Sequence, residues 1–268
     1  MEALNDLKCL KYLTPGIKNM KYRALIFDLD GTAIPTGIEH SPSQRLIRAV
    51  KEAQKKVSVS IATARRIASV VQIFKDLALT SPSIITGGTQ IVDPVSGKIL
   101  WSKHVENESL LQILNIMKGY PSETILGDEL SPFDFTSFTV PSKTYPILYL
   151  RNPTKEIAEE ICIKLKNVPN ISFVTSPSWI KGWTDIHVTH KEGTKKTGVH
   201  HLLKLLNVQK EYVMVVGDNN NDEALFESAG FKIAMGNATE GLKKKADFIA
   251  PSVTEDGLAF VIEKFILI

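Results

Sequence analysis

Short unbroken apolar runs alternate along this chain with stretches in which apolar residues recur every three or four positions. Residues 23–27 (RALIF) have the first texture and are predicted as a buried strand, and 57–62 (VSVSIA) and 83–86 are predicted as further strands. Leu46, Ile47, Val50 and Ala53 have the second, behind Ser41-Pro42-Ser43-Gln44. There Ser41 is placed to cap a helix, Pro42 to take its first position and Gln44 to complete a capping box. Val70, Val71 and Phe74 mark another helix over residues 67–77.

Gly87-Gly88 interrupts the alternation. Residues 91–92 and 99–101 flank Asp93-Pro94-Val95-Ser96-Gly97, a hairpin signal. A helix over 109–118, a Pro-punctuated stretch, a strand over 147–150, a helix over 153–166 and strands over 171–175 and 184–188 follow, an α+β module. After Lys191 strand and helix alternate again: a helix over 196–206, a strand over 212–216, a helix through 224–227, strands over 231–234 and 247–250, and an amphipathic helix over 257–265. Alternation on both sides of an insertion predicts an α/β fold, a doubly wound parallel-sheet (Rossmann-like) core with an inserted α+β domain. The expected division is 20–88 with 191–268 for the core and 89–190 for the insertion. Residues 1–19 are an N-terminal extension in which Leu4, Leu7 and Leu10 suit a short amphipathic helix, or they precede a true start at Met20.

Composition narrows the setting and not the chemistry. The 268 residues are 43% hydrophobic and 23% charged, an ordinary globular balance. Lys+Arg 32 against Asp+Glu 29 leaves +3, too little to argue for nucleic acid as a partner. Cys9 and Cys162 form no CxxC pattern, which disfavours a disulfide framework or a thiolate zinc site and suits a reducing cytoplasm. No run has the roughly 18 apolar residues of a membrane span, and the first twenty lack the apolar core of a signal peptide.

Chemistry gathers where predicted strands end. The first ends in Asp28-Leu29-Asp30-Gly31-Thr32, the second in Thr63-Ala64-Arg65, and a later one in Gly217-Asp218-Asn219-Asn220-Asn221-Asp222. Ligands of open α/β sheets bind outside the carboxyl ends of the strands. Four aspartates converging there repel one another unless a cation neutralises them, and oxygen donors suit Mg²⁺. A neutralised carboxylate beside a second one suits phosphoryl transfer: Asp28 attacks phosphorus, and Asp30, on the same side of an extended chain, handles protons. Gly31 lets the chain turn away. Thr63 supplies a hydroxyl and an N–H, and a lysine opening a helix supplies charge. Lys196 is assigned that role, with Lys195 the competing choice. Arg65 is either a contact to substrate or half of a surface ion pair.

The DxDGT box, the strand-end threonine, the lysine and the GDxxND box resemble the four motifs of the haloacid-dehalogenase superfamily. Residues 231–238 (FKIAMGNA), Ala246-Asp247 and Glu255-Asp256-Gly257 are similar to its Cof-type hydrolases, which carry a type IIB cap. The resemblance runs from Met20 onward and makes the insertion a cap domain. It implies Asp28 as nucleophile, Asp30 as general acid/base, and Thr63, Arg65, Lys196 and Asn221 as phosphate or substrate contacts. It further implies Mg²⁺ at Asp28, the backbone carbonyl of Asp30, and Asp218, supported by Asn221 and Asp222. Ala64 replaces the usual glycine, Gly87-Gly88 the usual Asn-Gly, and Thr197 the glycine after the lysine. The implied activity is a Mg²⁺-dependent phosphatase acting on a small phosphorylated metabolite such as a sugar phosphate. A phosphomannomutase-like mutase and a non-catalytic regulatory domain are the alternatives. His187, His190, His200 and His201 match no zinc spacing, and Trp179 and Trp183 are expected in the core.

Overall fold

The computed structural model describes residues 21–36, 41–120, 123–127, 132–134, 144–151, 153–178 and 181–268. The amphipathic helix expected within 1–19, Cys9, Met20 and Trp179 lie outside them. Two compact units divide the chain after Trp101 and after Thr194. In chain order the first holds β1 (Ala24–Phe27), α1 (Gln44–Ala53), β2 (Ser58–Ile61), α2 (Val71–Asp76), β3 (Ser83–Ile85), β4 (Gln90–Val92) and β5 (Ile99–Ser102), whose last residue opens the second unit. The second holds α3 (Asn107–Met117), β6 (Glu123–Gly127), β7 (Pro132–Asp134), β8 (Ile147–Arg151), α4 (Lys155–Leu165), β9 (Ile171–Pro177) and β10 (Thr184–His190). The first unit then resumes with α5 (Lys195–Leu206), β11 (Val213–Gly217), α6 (Glu223–Phe226), β12 (Phe231–Ala234), α7 (Glu240–Lys243), β13 (Phe248–Ile249) and α8 (Gly257–Phe265).

The parallel sheet of the first unit runs β13-β12-β11-β1-β2. Every residue of β1, β2 and β11 is buried, Ser58 and Ser60 of β2 included, as in a sheet covered on both faces. The predicted strand over 83–86 is real but does not extend this sheet as a full strand. β3 pairs antiparallel with β4, forms a three-stranded sheet with β4 and β5, and meets the end of β2 through an Ala62–Ile84 bridge and a bond from the Ile61 N–H to Ser83 Oγ at 3.1 Å. The hairpin therefore belongs with the first unit. The division falls at 101/102 and 194/195, not at the glycine break at 88/89 or at 190/191.

Helix ends also moved. Ser43, not Ser41, caps α1: its Oγ accepts from the Leu46 N–H at 3.0 Å. The helix expected over 67–77 is a 3₁₀ turn at Ile67–Ser69 followed by α2, broken at Val70, where two β-branched residues adjoin. Helix α1 packs on α8, and Arg45 closes that contact with two hydrogen bonds to Glu263, 3.1 and 2.6 Å long.

The second unit is an antiparallel sheet, β7-β6-β8-β10-β9. Leu148, Leu150, Ile186 and Val188 pack with Ile113, Leu114, Ala158 and Ile161 of α3 and α4. Strands β6 and β7 fall in the Pro-punctuated stretch, where no alternation announces them. Trp183, expected in the core, is 37% exposed.

Candidate active site

Strands β1 and β11 are neighbours in the sheet although the second unit separates them in sequence. From β1 the chain continues to β2 on one side, and β11 joins on the other, so the order reverses between β1 and β11. Crevices at such switch points are where open α/β sheets take ligands. Both strands end there in aspartates. The Asp28 N–H still donates to the Val216 carbonyl at 3.0 Å, which holds Asp28 in the register of the ladder.

The segment after Asp28 turns at Gly31, whose φ is +82°. Glycine is required there twice over: the conformation is left-handed, and a Cβ would lie 2.3 Å from the Asp218 carboxylate. Thr32 donates to Asp218 Oδ1 at 3.0 Å, and the Asn237 side chain donates to the Gly31 carbonyl at 2.9 Å. Across the sheet, Asn219 caps a 3₁₀ turn at Asn220–Asp222. Asp222 is fully buried there, and its Oδ2 accepts from the N–H groups of Asp218 and Asn219 at 3.0 and 3.2 Å. Gly217 leaves room for it, since a Cβ there would meet that of Asp222 at 2.6 Å.

Lys195, the first residue of α5, reaches into this cluster. Its Nζ donates to Asp28 Oδ1 at 2.7 Å and to Asp222 Oδ1 at 2.6 Å, and the side chain is 5% exposed. Lys196, assigned from sequence, points elsewhere: it is 65% exposed and pairs with Glu227 at 2.8 Å. The correction has a simple cause. Lys195 and Lys196 are successive residues of α5, whose side chains point about 100° apart at 3.6 residues per turn, so only one of them can face the carboxylates.

Asp28, Asp218 and Asp222 place carboxylate oxygens within 4.8 Å of one another. Burial pushes the Asp28 carboxyl up to about 7; Lys195 opposes this, and Asp222 and Asp218 push further up. Burial, then Asp222, raises Asp218 to about 6, against the Thr32 hydrogen bond. Burial pulls the Lys195 ammonium down, but Asp28 and Asp222 more than reverse it, so Lys195 stays charged. When all three are ionised, three carboxylates against one ammonium leave −3 + 1 = −2. A divalent cation balances that charge, and hard carboxylate oxygens suit a hard ion. Asp222 spends both oxygens on protein donors, so Asp28 and Asp218 are the carboxylates available to hold a metal.

The Asp30 carboxylate is not in the cluster. It is held by Arg65, with Nε to Oδ2 at 2.8 Å and Nη2 to Oδ1 at 2.5 Å. Arg65 is thus half of an ion pair, and its partner is Asp30. Thr63 lies at the end of β2, 1% exposed, its Oγ1 accepting from the Arg65 N–H at 3.1 Å. Asn221 is exposed at the turn before Asp222. Sequence reasoning passed over Thr32 and Asn237 as supports of the Asp218 and Gly31 positions. Thr32 was visible inside the DxDGT box; Asn237, within residues 231–238, gave no sign that it would meet Gly31.

A switch-point crevice holding buried carboxylates, a lysine and a strand-end hydroxyl defines an α/β enzyme built for an anionic, cation-assisted substrate. The model of the haloacid dehalogenase-like hydrolases matches residues 25–133 and 128–262. A putative phosphatase of Haemophilus influenzae is 24% identical over 91% of this chain and 98% of its own length. The 5-amino-6-(5-phospho-D-ribitylamino)uracil phosphatase YcsE of Bacillus subtilis is 25% identical over 93% and 98%. The crystal structure of TM0651 from Thermotoga maritima superposes with a TM-score of 0.78 at 22% identity, over 91% of this chain and 97% of that one. The chain belongs to the haloacid dehalogenase-like hydrolases. Like the curated relatives it matches over nearly their whole length, it is a phosphoric monoester hydrolase. Among the described residues, no helix is long and apolar enough to cross a membrane.

Proposed function

We propose that this chain is a Mg²⁺-dependent phosphatase that hydrolyses a small phosphorylated metabolite in the cytoplasm, through an aspartyl phosphate on Asp28. The observation that carries it is the Asp28 carboxylate, buried at the switch point beside Asp218 and bonded to Lys195. Mg²⁺, held by Asp28, Asp218 and the Asp30 carbonyl, would supply charge against the phosphoryl oxygens.

In the first half-reaction a carboxylate oxygen of Asp28 forms a bond to phosphorus as the ester P–O bond breaks. Asp30 gives its proton to the departing alkoxide oxygen. In the second, Asp30 takes a proton from water as the water oxygen bonds to phosphorus, and the bond to Asp28 breaks to release inorganic phosphate. Thr63 and Lys195 are assigned to the phosphoryl oxygens. Lys195 replaces Lys196 in that role because of the two carboxylate bonds it makes, and Arg65 is withdrawn from direct substrate contact. A sugar phosphate or similar phosphomonoester fits the phospho-D-ribityl group in the name of the Bacillus subtilis relative.

The test is 4-nitrophenol release from 4-nitrophenyl phosphate with Mg²⁺ and after chelation. We expect turnover that needs the metal and vanishes in Asp28→Asn; full activity in that variant overturns the covalent route.

A further inference from the structure

Arg65 and Asp30 are far apart in sequence, yet they form a bidentate ion pair in the site. Two parallel N–H···O bonds, fork against fork, fix the plane of a carboxylate as well as its position, where a single bond fixes only the position. The pair is shielded as well: the Arg65 side chain is 14% exposed and that of Asp30 30%.

The backbone that presents the guanidinium is itself pinned at two points. The Arg65 N–H donates to Thr63 Oγ1, and the Arg65 carbonyl accepts from the Thr86 N–H at 2.8 Å. Thr86 holds a φ of +54°, a left-handed conformation that a threonine adopts only under the constraint of its surroundings. Thr63, on its other side, is anchored through its N–H to Ile84 and through its carbonyl to the Gly87 N–H. The loop after β2 is therefore a rigid mount joining the strand-end threonine to the Arg65 fork. Asp30, by contrast, lies on the turn between Asp28 and Gly31, tied by an isolated bridge to Ile34 that leaves the direction of its carboxylate to Arg65.

We propose that Arg65 is a positioning residue for Asp30: the fork holds the carboxyl in the orientation from which it protonates the departing ester oxygen. The inference rests on the proposed role of Asp30 as general acid. When the Asp30 proton moves to the ester oxygen as the P–O bond breaks, the carboxylate left behind faces a guanidinium already in place. The fork thus favours that step without touching substrate.

The test uses two aryl esters that differ in their need for a proton. The 4-nitrophenolate of 4-nitrophenyl phosphate departs unprotonated, whereas the phenoxide of phenyl phosphate is a much poorer leaving group. We expect Arg65→Ala to lower kcat/KM for phenyl phosphate about tenfold or more beyond its effect on 4-nitrophenyl phosphate, within the range general acid catalysis supplies. Arg65→Lys, which keeps one bond and the charge but not the fork, should fall between Arg65→Ala and the parent and controls for folding. In an Asp30→Asn background, Arg65→Ala should produce no further split between the two esters, because residues that act as a unit are not additive. Equal losses on both esters, or a full additional split in the Asp30→Asn background, overturn the positioning role and leave the phosphatase intact. If the parent protein hydrolyses neither ester with Mg²⁺, the phosphatase proposal fails, and this inference with it.

Discussion

Replacing Lys195 by Met, with Lys196→Met beside it, separates the two adjacent lysines most sharply. Lys195→Met keeps an unbranched side chain of similar length and removes the ammonium from between two buried carboxylates. Two charge-assisted bonds disappear, each contributing about 1.5–3 kcal/mol, or roughly 3–6 kcal/mol together. Breaking a buried pair by removing one partner costs about 3–5 kcal/mol in general, which agrees. Proton uptake by Asp28, already raised to about 7, limits the loss, so the lower half of that range is expected near neutral pH. At about 2–4 °C per kcal/mol for a domain of this size, the thermal midpoint should fall by roughly 6–16 °C. Phosphate release should fall by at least about 10², as when a preorganised electrostatic contact is removed. Lys196→Met breaks an exposed, solvent-screened pair and should leave both turnover and the melting temperature nearly unchanged. Thermal melts in chelator and in Mg²⁺, with phosphate release on the same samples, measure both. A Lys195→Met protein that melts and turns over normally while Lys196→Met is dead would refute the reasoning and restore the assignment to Lys196.

The same charge balance has other consequences. Asp28→Asn should abolish turnover yet raise the melting temperature of the metal-free protein, because it removes one of three crowded carboxylates and keeps an acceptor for Lys195; a lower melting temperature would count against the repulsion. Between pH 4 and 7 the folded protein holds protons on Asp28 and Asp218 that the unfolded chain has released. Stability without metal should therefore decline as pH rises from about 4 to about 7 through these groups, and Mg²⁺ should offset the decline, which melts across that range in chelator and in Mg²⁺ will show. Gly31→Ala should destabilise the protein by at least about 1 kcal/mol and weaken Mg²⁺ binding, because its Cβ would displace the Asp218 carboxylate; urea unfolding and calorimetric Mg²⁺ titration test this.

The α/β class, the two-part organisation and the residues at the ends of β1 and β11 were all legible in the chain. Buried parallel strands must be continuously apolar, so the abrupt appearance of Asp28 and Asp218 marks where strands stop and a ligand crevice begins. Gly31 was legible for a related reason, since glycine lets the chain turn away from the strand end, whereas the close approach of Asp222 to Gly217 emerges only in the structure. What could not be read was anything decided by pairing across long separations. Strand β3 looks like its neighbours in sequence, and only the structure shows that it pairs along its length with β4 and meets the end of β2 by a single bridge. Lys195 and Lys196 are chemically identical neighbours, and the rotation of about 100° between successive helical residues sends one to the carboxylates and the other to solvent. Arg65 offered a charge without a destination until the pinned loop after β2 aimed it at Asp30. Local pattern encodes burial and turn chemistry because those depend on neighbouring residues. The direction a charged side chain takes depends on which distant element supplies the opposite charge, and only the tertiary structure decides that.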